Sequence, residues 1–370
     1  MTENNIKNSI KRKVLADISF VTTVCNEERD ITEFLGSLME QTYLPGEIII
    51  VDGGSKDRTF SKIAEFLKVE APRDKNELGK APEANDKEND IKTVIGNSRG
   101  GAGALNVRII KKSGANISQG RNEAISNSSG RIICVSDAGC ILDKNWMLEI
   151  SRFYDDNSCN VVGGLNVPYC RNLLQKCLAV CIMPLKEEIK GERYMPSSRN
   201  ISFRKKVWAG AGGYPENMDY GEDMKFDFNI KGTGYSIRFN PDAVVYWKMR
   251  ENPAQISRQF FRYARGDADG RMYVYRHLAR FTAFLILIVI LLLAFYLSKL
   301  VLFALVPLFI TYVFKSYKRL IRVFKSGGKC SFTGKEKFLS ILIIPLLLLQ
   351  IDLSKMCGYT YGLVKSIMKL

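Results

Sequence analysis

The chain has a single histidine, His277, in 370 residues. That excludes histidine-based triads, HExxH zinc sites and imidazole acid/base catalysis. Its nine cysteines contain no C-x-x-C, and the tightest pair, Cys177 and Cys181, is four apart. This is neither a zinc ribbon nor a secreted disulfide scaffold, and the thiols are expected to be reduced and mostly buried. The opening MTENNIKNSIKRKVLAD has no apolar h-region, so no signal peptide is visible and the body is expected in the cytosol. No G-x-G-x-x-G follows the first strand and no G-x-x-x-x-G-K-[ST] occurs, so a standard dinucleotide site and a P-loop are both missing.

What is present is apolar surface and positive charge. The composition, 46% hydrophobic and 25% charged, suits a folded chain with a sizeable core. The net charge of +16 is unevenly placed. Residues 271–370 carry 15 Lys and Arg against Glu336 and Asp352, leaving 39 basic and 36 acidic residues for the first 270. The excess therefore sits beside the longest apolar runs, the pattern of cations that hold membrane segments to an anionic leaflet. A nucleic-acid-binding body is disfavoured.

The first 270 residues alternate between two periods. Ile18 to Cys25 and Glu47 to Asp52 read as short buried strands, each followed by an amphipathic helix. Asp30-Ile31-Thr32-Glu33 reads as a capping-box start, and Pro45-Gly46 as a break before the second strand. Strand, helix, strand, helix with short links predicts an α/β fold with a mostly parallel, Rossmann-like sheet. Residues 69–104, polar and free of aromatics, read as a disordered insertion. The alternation resumes with strands near 106–110, 131–137, 160–165, 200–204, 235–239 and 243–247. A helix is expected from Glu222 to Lys231, closed by Gly232. A membrane-proximal amphipathic helix is predicted over 253–276. Residues 277–370 form a membrane domain with about three hydrophobic segments, 281–298, 300–314 and 338–354, and a basic loop from Lys315 to Lys337.

Open α/β sheets bind ligands at the carboxyl ends of their strands. Three strands end there in acids: Cys25-Asn26-Glu27-Glu28, Asp52-Gly53-Gly54-Ser55 and Ser136-Asp137-Ala138-Gly139. A carboxylate at that edge can accept from a base N–H or ribose hydroxyls, or ligate a divalent metal that holds a diphosphate. One alone is as often a helix cap; three in successive units are not.

The runs FVTTVCNEE, IIIVDGGSKDRT, QGRNEAI and IICVSDAG resemble the nucleotide-binding half of family 2 glycosyltransferases, which have the GT-A fold. The run GYPENMDYGEDMKFDFNIKGTGYSIRFNPDAVVY resembles their acceptor half. Arg258-Gln259-Phe260-Phe261-Arg262-Tyr263 is similar to the Q-x-x-R-W motif of polysaccharide synthases. The resemblance covers 18–271, and the motifs come in the family's order. It implies that Asp52 binds the nucleotide base, with Glu27 beside it. It implies that Asp137 binds ribose and an Mg²⁺ or Mn²⁺ on the diphosphate, and that Arg121 approaches the phosphates. Asp223 matches the acceptor-activating base, and Gln259 and Arg262 match residues that close over the diphosphate or the acceptor.

Two positions depart from the family. Gly139 stands where the second Asp of D-x-D is expected, and Tyr246-Trp247 where relatives often carry a metal-binding histidine. Asp143 is nearby, but before Lys144-Asn145-Trp146 it suits a helix cap better. The expected function is an inverting, metal-dependent glycosyltransferase, anchored in the cell membrane with its catalytic domain cytoplasmic. It would move a sugar from a nucleotide-sugar donor to a lipid-linked or glycan acceptor delivered at the membrane, with membrane lipids as further partners and no nucleic acid. The rival readings are a processive polysaccharide synthase and a non-catalytic nucleotide-sugar-binding protein.

Overall fold

The computed structural model describes residues 13–67, 92–98, 105–326 and 330–368. In chain order the elements begin with β1 (Lys13–Val24), α1 (Ile31–Met39), β2 (Tyr43–Asp52), α2 (Thr59–Leu67), β3 (Lys92–Ser98), β4 (Leu105–Lys111) and α3 (Ile117–Ser126). Then come β5 (Ile132–Val135), β6 (Cys140–Leu142), α4 (Trp146–Ser151), β7 (Val161–Tyr169), α5 (Leu173–Ile182), β8 (Ile201–Arg204) and α6 (Lys205–Gly210). The chain closes with α7 (Glu222–Gly232), β9 (Ile237–Lys248), α8 (Pro253–Asp269), α9 (Val274–Tyr296), α10 (Leu305–Ser326) and α11 (Gly334–Met368). It divides into two compact units.

The first unit comprises residues up to Asn166, Lys190–Asn217 and Phe226–Tyr246. It is organised by a nine-stranded sheet of order β3-β4-β2-β1-β5-β8-β7-β9-β6. The parallel block is β4-β2-β1-β5. Antiparallel β3 pairs with β4 on one side, and antiparallel β8 pairs with β5 on the other. Most of residues 18–24 of β1 and most of β2 are buried, as strand segments covered on both faces must be, while the first five residues of β1 are not. Val21, Ile49, Val51 and Val135 form one core with Ala124 and Ile125 of α3 and Phe226 and Ile230 of α7. Full burial of each large aliphatic is worth about 1.5–3 kcal/mol.

Several local expectations change. Pro45-Gly46 does not break the chain before β2. The strand runs through it, and the β1–β2 register shifts between Leu15 and Ser19, a bulge that accommodates both residues. Gly46 is needed there, because a Cβ would lie 2.4 Å from the Ala16 carbonyl oxygen. Asp30 precedes α1 but its side chain makes no capping bond. Helix α7 includes Gly232 and is closed by Gly234 at φ +85°, a left-handed conformation that glycine adopts without strain. The strands expected at 235–239 and 243–247 are one, β9. Lys92–Ser98, inside the stretch read as a disordered insertion, is the antiparallel edge strand β3. The rest of that stretch lies outside the described residues.

The second unit comprises Val167–Ile189, Met218–Lys225 and Trp247–Leu370. Helix α8 ends at Asp269, short of the predicted 276, because Arg271 and Tyr273 take left-handed backbone conformations that no helix continues through. Among the described residues, three helical stretches here are long and apolar enough to cross a membrane: Val274–Tyr296, Lys299–Ser326 and Gly334–Met368. Their outward faces are bare Leu, Ile and Phe, with Leu285 61% and Leu346 68% exposed, surface suited to lipid rather than water. The residues expected as a basic loop from Lys315 continue α10 to Ser326, and Arg319 is fixed there by donating to Glu188 at 2.6 Å. Helix α11 passes unbroken through Pro345. It meets α8 over Gly358 and Gly362: a Cβ on Gly358 would fall 2.1 Å from the Phe261 carbonyl oxygen, and one on Gly362 2.7 Å from the Ala268 Cβ.

Candidate functional site

In the first unit the parallel register brings the ends of β1, β2 and β5 to one sheet edge, with Val24 beside Asp52. Asp52 is fully buried. Its Oδ1 accepts from the Gly54 N–H at 3.1 Å, the Ser55 N–H at 2.8 Å and the Ser55 hydroxyl at 2.7 Å. Its Oδ2 is buried with no hydrogen-bond partner. A buried carboxylate oxygen left bare costs free energy that a bound N–H or O–H would recover.

The loops after β1 and β2 interlace through hydrogen bonds. Asn26, in the left-handed region at φ +57°, donates its N–H to Ser55 Oγ at 3.0 Å and accepts from the Lys56 N–H at 2.9 Å. Glu27 donates its N–H to Thr59 Oγ1 at 2.7 Å. Burial opposes ionisation of Asp57, but bonds from Thr59 and the Glu28 N–H hold its carboxyl below the usual range. The Cys25 thiol is pushed up, first by desolvation and then by Asp52, Asp57 and Glu27, which disfavours its thiolate.

Arg121 leaves α3 almost completely buried, and its Nη2 donates to Asp137 Oδ1 at 2.7 Å. Helix α3 sits close on β1 because residue 120 is glycine: a Cβ would lie 2.3 Å from Thr23 Oγ1. The next residue, Asn122, accepts from the Tyr214 N–H at 2.9 Å and donates to the Tyr214 carbonyl at 2.8 Å. That clamp sets the Tyr214 ring against Arg121, guanidinium carbon 5.2 Å from the centroid. Nothing in the local sequence marks Tyr214, 93 positions downstream of Arg121.

The implied metal has a small donor set. Among the described residues no group of three or more His, Cys, Asp or Glu could hold an ion. Mg²⁺ and Mn²⁺ on a diphosphate need only one or two protein carboxylates. Asp137, with 28% of its side chain exposed, fits the role of a single protein ligand, and a Cβ at Gly139 would meet nothing within 4 Å. Asp143 is occupied otherwise: it accepts from the Asn145 N–H at 3.2 Å and the Tyr246 hydroxyl at 3.2 Å.

Asp223, Gln259 and Arg262 belong to the second unit. Asp223 is half-buried in the first turn of α7, accepting from the Met224 N–H at 2.8 Å. The segment before it is held by α8: a Cβ on Gly266 would lie 2.1 Å from the Tyr220 carbonyl oxygen. Arg262 is exposed and lies over the Tyr220 ring at 5.3 Å, with Arg265 at 5.5 Å from the same ring. Gln259 is buried, accepting from Arg250 Nε at 3.3 Å and donating to the Tyr263 hydroxyl at 2.8 Å. Tyr220 had no mark in the sequence either.

The family model described as glycosyl transferase family group 2 matches residues 132–318, and that described as glycosyl transferase family 2 matches residues 19–85. The chain belongs to the family 2 glycosyltransferases, and its α/β body is the GT-A fold, followed by helices able to anchor it in a membrane. It is 22% identical over 248 residues to glycosyltransferase AglE of Haloferax volcanii, covering 66% of this chain and 70% of that one. It is 25% identical over 281 residues to the probable glycosyltransferase YdaM of Bacillus subtilis, covering 73% of this chain and 59% of that longer protein. A solved mannosyltransferase from Pyrobaculum calidifontis, in complex with GDP-Man and Mn²⁺, is 14% identical with a TM-score of 0.49, over 95% of this chain and 87% of its own.

Proposed function

We propose that this glycosyltransferase binds a nucleoside-diphosphate sugar at the Asp52–Arg121–Asp137 edge and transfers the sugar, with inversion, to a lipid-linked or glycan acceptor delivered at a membrane. The observation that carries the reading is Asp52 Oδ2, a buried carboxylate oxygen without a partner at the end of a parallel strand. A nucleobase N–H is the group that would satisfy it, and Glu27 borders the same loop pair. Asp137 would hold the divalent metal, which when bound neutralises charge on the departing diphosphate.

The chain's own residues supply the rest. Arg121 and Arg262 offset phosphate charge as the bond from the anomeric carbon to the diphosphate oxygen breaks. The acceptor hydroxyl forms the new bond from the opposite face, and its proton passes to the Asp223 carboxylate, which serves because no catalytic histidine is available. Gln259 and Arg262 close over the diphosphate or the acceptor and exclude water. The basic half of α10 (Lys315, Lys318, Arg322 and Lys325) favours the cytoplasmic side, with a hairpin turning near Lys299 and the C-terminus outside.

The full chain in nanodiscs, with Mn²⁺ and a panel of UDP- and GDP-sugars, tests the chemistry. Release of nucleoside diphosphate with sugar appearing on lipid or glycan is expected; binding without release, or release as free sugar only, would reject transfer. Cysteines at Ser298 or Ser326, with exposed Cys25 and Cys357 replaced by Ser, test the topology with an impermeant maleimide on intact cells. Labelling at 326 but not 298 would reject it.

A further inference from the structure

The only histidine of the chain is 2% exposed, although it sits in the first apolar helix, α9. Its ring stacks on Tyr359 of α11, centroids 3.9 Å apart and planes 9° apart. Nε2 lies 2.8 Å from Asp267 Oδ2 near the end of α8, and Nδ1 lies 3.2 Å from Arg280 Nη1. Arg280 Nε in turn donates to Asp352 Oδ1 of α11 at 2.7 Å, and the Tyr312 hydroxyl of α10 donates to Asp352 Oδ2 at 2.9 Å. One line of hydrogen bonds thus joins α8 to all three apolar helices, and it supplies the partners Asp352 needs in an apolar setting.

The donor set decides the tautomer. A guanidinium nitrogen donates and never accepts, so Nδ1 must carry the lone pair. The ring proton is therefore on Nε2 and is given to Asp267. Any ring with a proton on Nδ1 would set N–H against N–H.

Asp267 shares a face of α8 with Tyr263 and Gln259, at successive four-residue steps. Gln259 and Tyr263 are already bonded, and Arg262 projects beside them. Gly358 and Gly362 bring the backbones of α8 and α11 close, and Gln350 of α11 pins the start of α8 by donating to the Pro253 carbonyl at 2.7 Å and to Ser257 Oγ at 2.8 Å; near the end of α8, Asp267 meets His277. Directional polar groups are what set register in such a contact.

We propose that His277 is a positioning residue for sugar transfer: by donating to Asp267 it fixes, together with Gln350 at the other end, the rotation of α8 on the apolar helices, and with it Gln259 and Arg262. This rests on the roles given above to those two residues. Two substitutions separate the ring's functions. His277→Gln keeps a donor at the Nε2 reach and loses the Nδ1 acceptor; His277→Asn keeps an acceptor at the Nδ1 place and loses the donor.

In nanodiscs, with the best substrate sugar nucleotide of the UDP- and GDP-sugar panel, His277→Asn should lower kcat/KM for the acceptor by about 10–10²-fold, as small misplacements do. Calorimetric binding of that sugar nucleotide should weaken by less than kcat/KM does, since only the Gln259 and Arg262 side of the site is misplaced, and His277→Gln should stay within about threefold of the parent. Equal losses in both variants, or a loss of donor binding that accounts for the whole fall in kcat/KM, would overturn the inference. Should His277→Asn fail to accumulate, Asp267→Ala removes the acceptor without touching the buried ring and should give the same acceptor-side loss; normal kinetics there would also overturn it. Because the chain has one histidine, ¹⁵N-histidine labelling gives one ring to read, with bare Nδ1 and protonated Nε2 expected. A proton on Nδ1 rejects the inference even if no donor turns over, an outcome that would instead reject the roles of Gln259 and Arg262.

Discussion

Arg121 Nη2 donates to Asp137 Oδ1 at 2.7 Å, with its guanidinium resting on the Tyr214 ring. The cation expected to meet the donor's phosphates is therefore held by the carboxylate expected to meet the metal. The two charges cancel locally, so a nucleoside diphosphate approaching without a cation gains little from Arg121 alone.

Asp137→Asn removes one half of that cancellation. Binding of UDP or GDP without metal should tighten several-fold, because about 1 kcal/mol of nearby repulsion is lost. Stimulation of binding by Mn²⁺ should vanish. Calorimetry with and without EDTA checks both signs, and retained Mn²⁺ stimulation would move the metal ligand elsewhere. Stability should fall by less than the ~3–5 kcal/mol of a broken fully buried pair, since Asp137 is partly exposed.

For Asp52, Asn is again the informative change. It keeps an acceptor for the Gly54 and Ser55 bonds and puts an N–H₂ where Oδ2 stands bare. Nucleotide affinity should drop about tenfold or more, on the ~1–3 kcal/mol scale of an unmet buried group. The melting temperature should move little. A large loss of stability with unaltered affinity would make Asp52 a loop brace only.

Asp223→Asn should leave donor binding nearly intact and cut turnover by roughly 10²-fold or more, the scale of a lost general base. Pre-steady-state measurement of nucleoside diphosphate release separates the two. Near-normal turnover would remove Asp223 from the base role.

Glu47 gives a pH dependence of stability away from the donor edge. Burial raises its pKa, but bonds from Ser19, from the Ser129 N–H and hydroxyl, and from Arg108 outweigh that and bring it to about 2. A carboxyl depressed on folding stabilises fully above its unfolded value and loses that contribution as pH falls toward the folded one. The contribution, on the order of 3 kcal/mol, should therefore fade between about pH 4.5 and about pH 2. Denaturant unfolding of Glu47→Gln across that range should show a deficit at pH 7 that shrinks on acidification; a constant deficit would contradict the assignment.

The sequence alone determined the α/β alternation, the three acid-ended strands and the apolar helices, because burial period, strand-end carboxylates and long apolar runs are local properties of the chain. It could place Asp52 and Asp137 at one edge because parallel strands deliver their carboxyl ends to the same side, whereas Arg121, on α3, was marked only by the family resemblance. Only the tertiary structure decided what those groups touch. Tyr214 reaches Arg121 through Asn122, 92 residues away, and His277 of α9 meets Asp267 of α8 and Tyr359 of α11. The end of α8, the bulge at Gly46 and the strand at 92–98 likewise depend on backbone conformation and pairing partners. Contacts between distant residues have no local period to read, and a buried polar atom's partner is set by packing rather than by its neighbours in sequence.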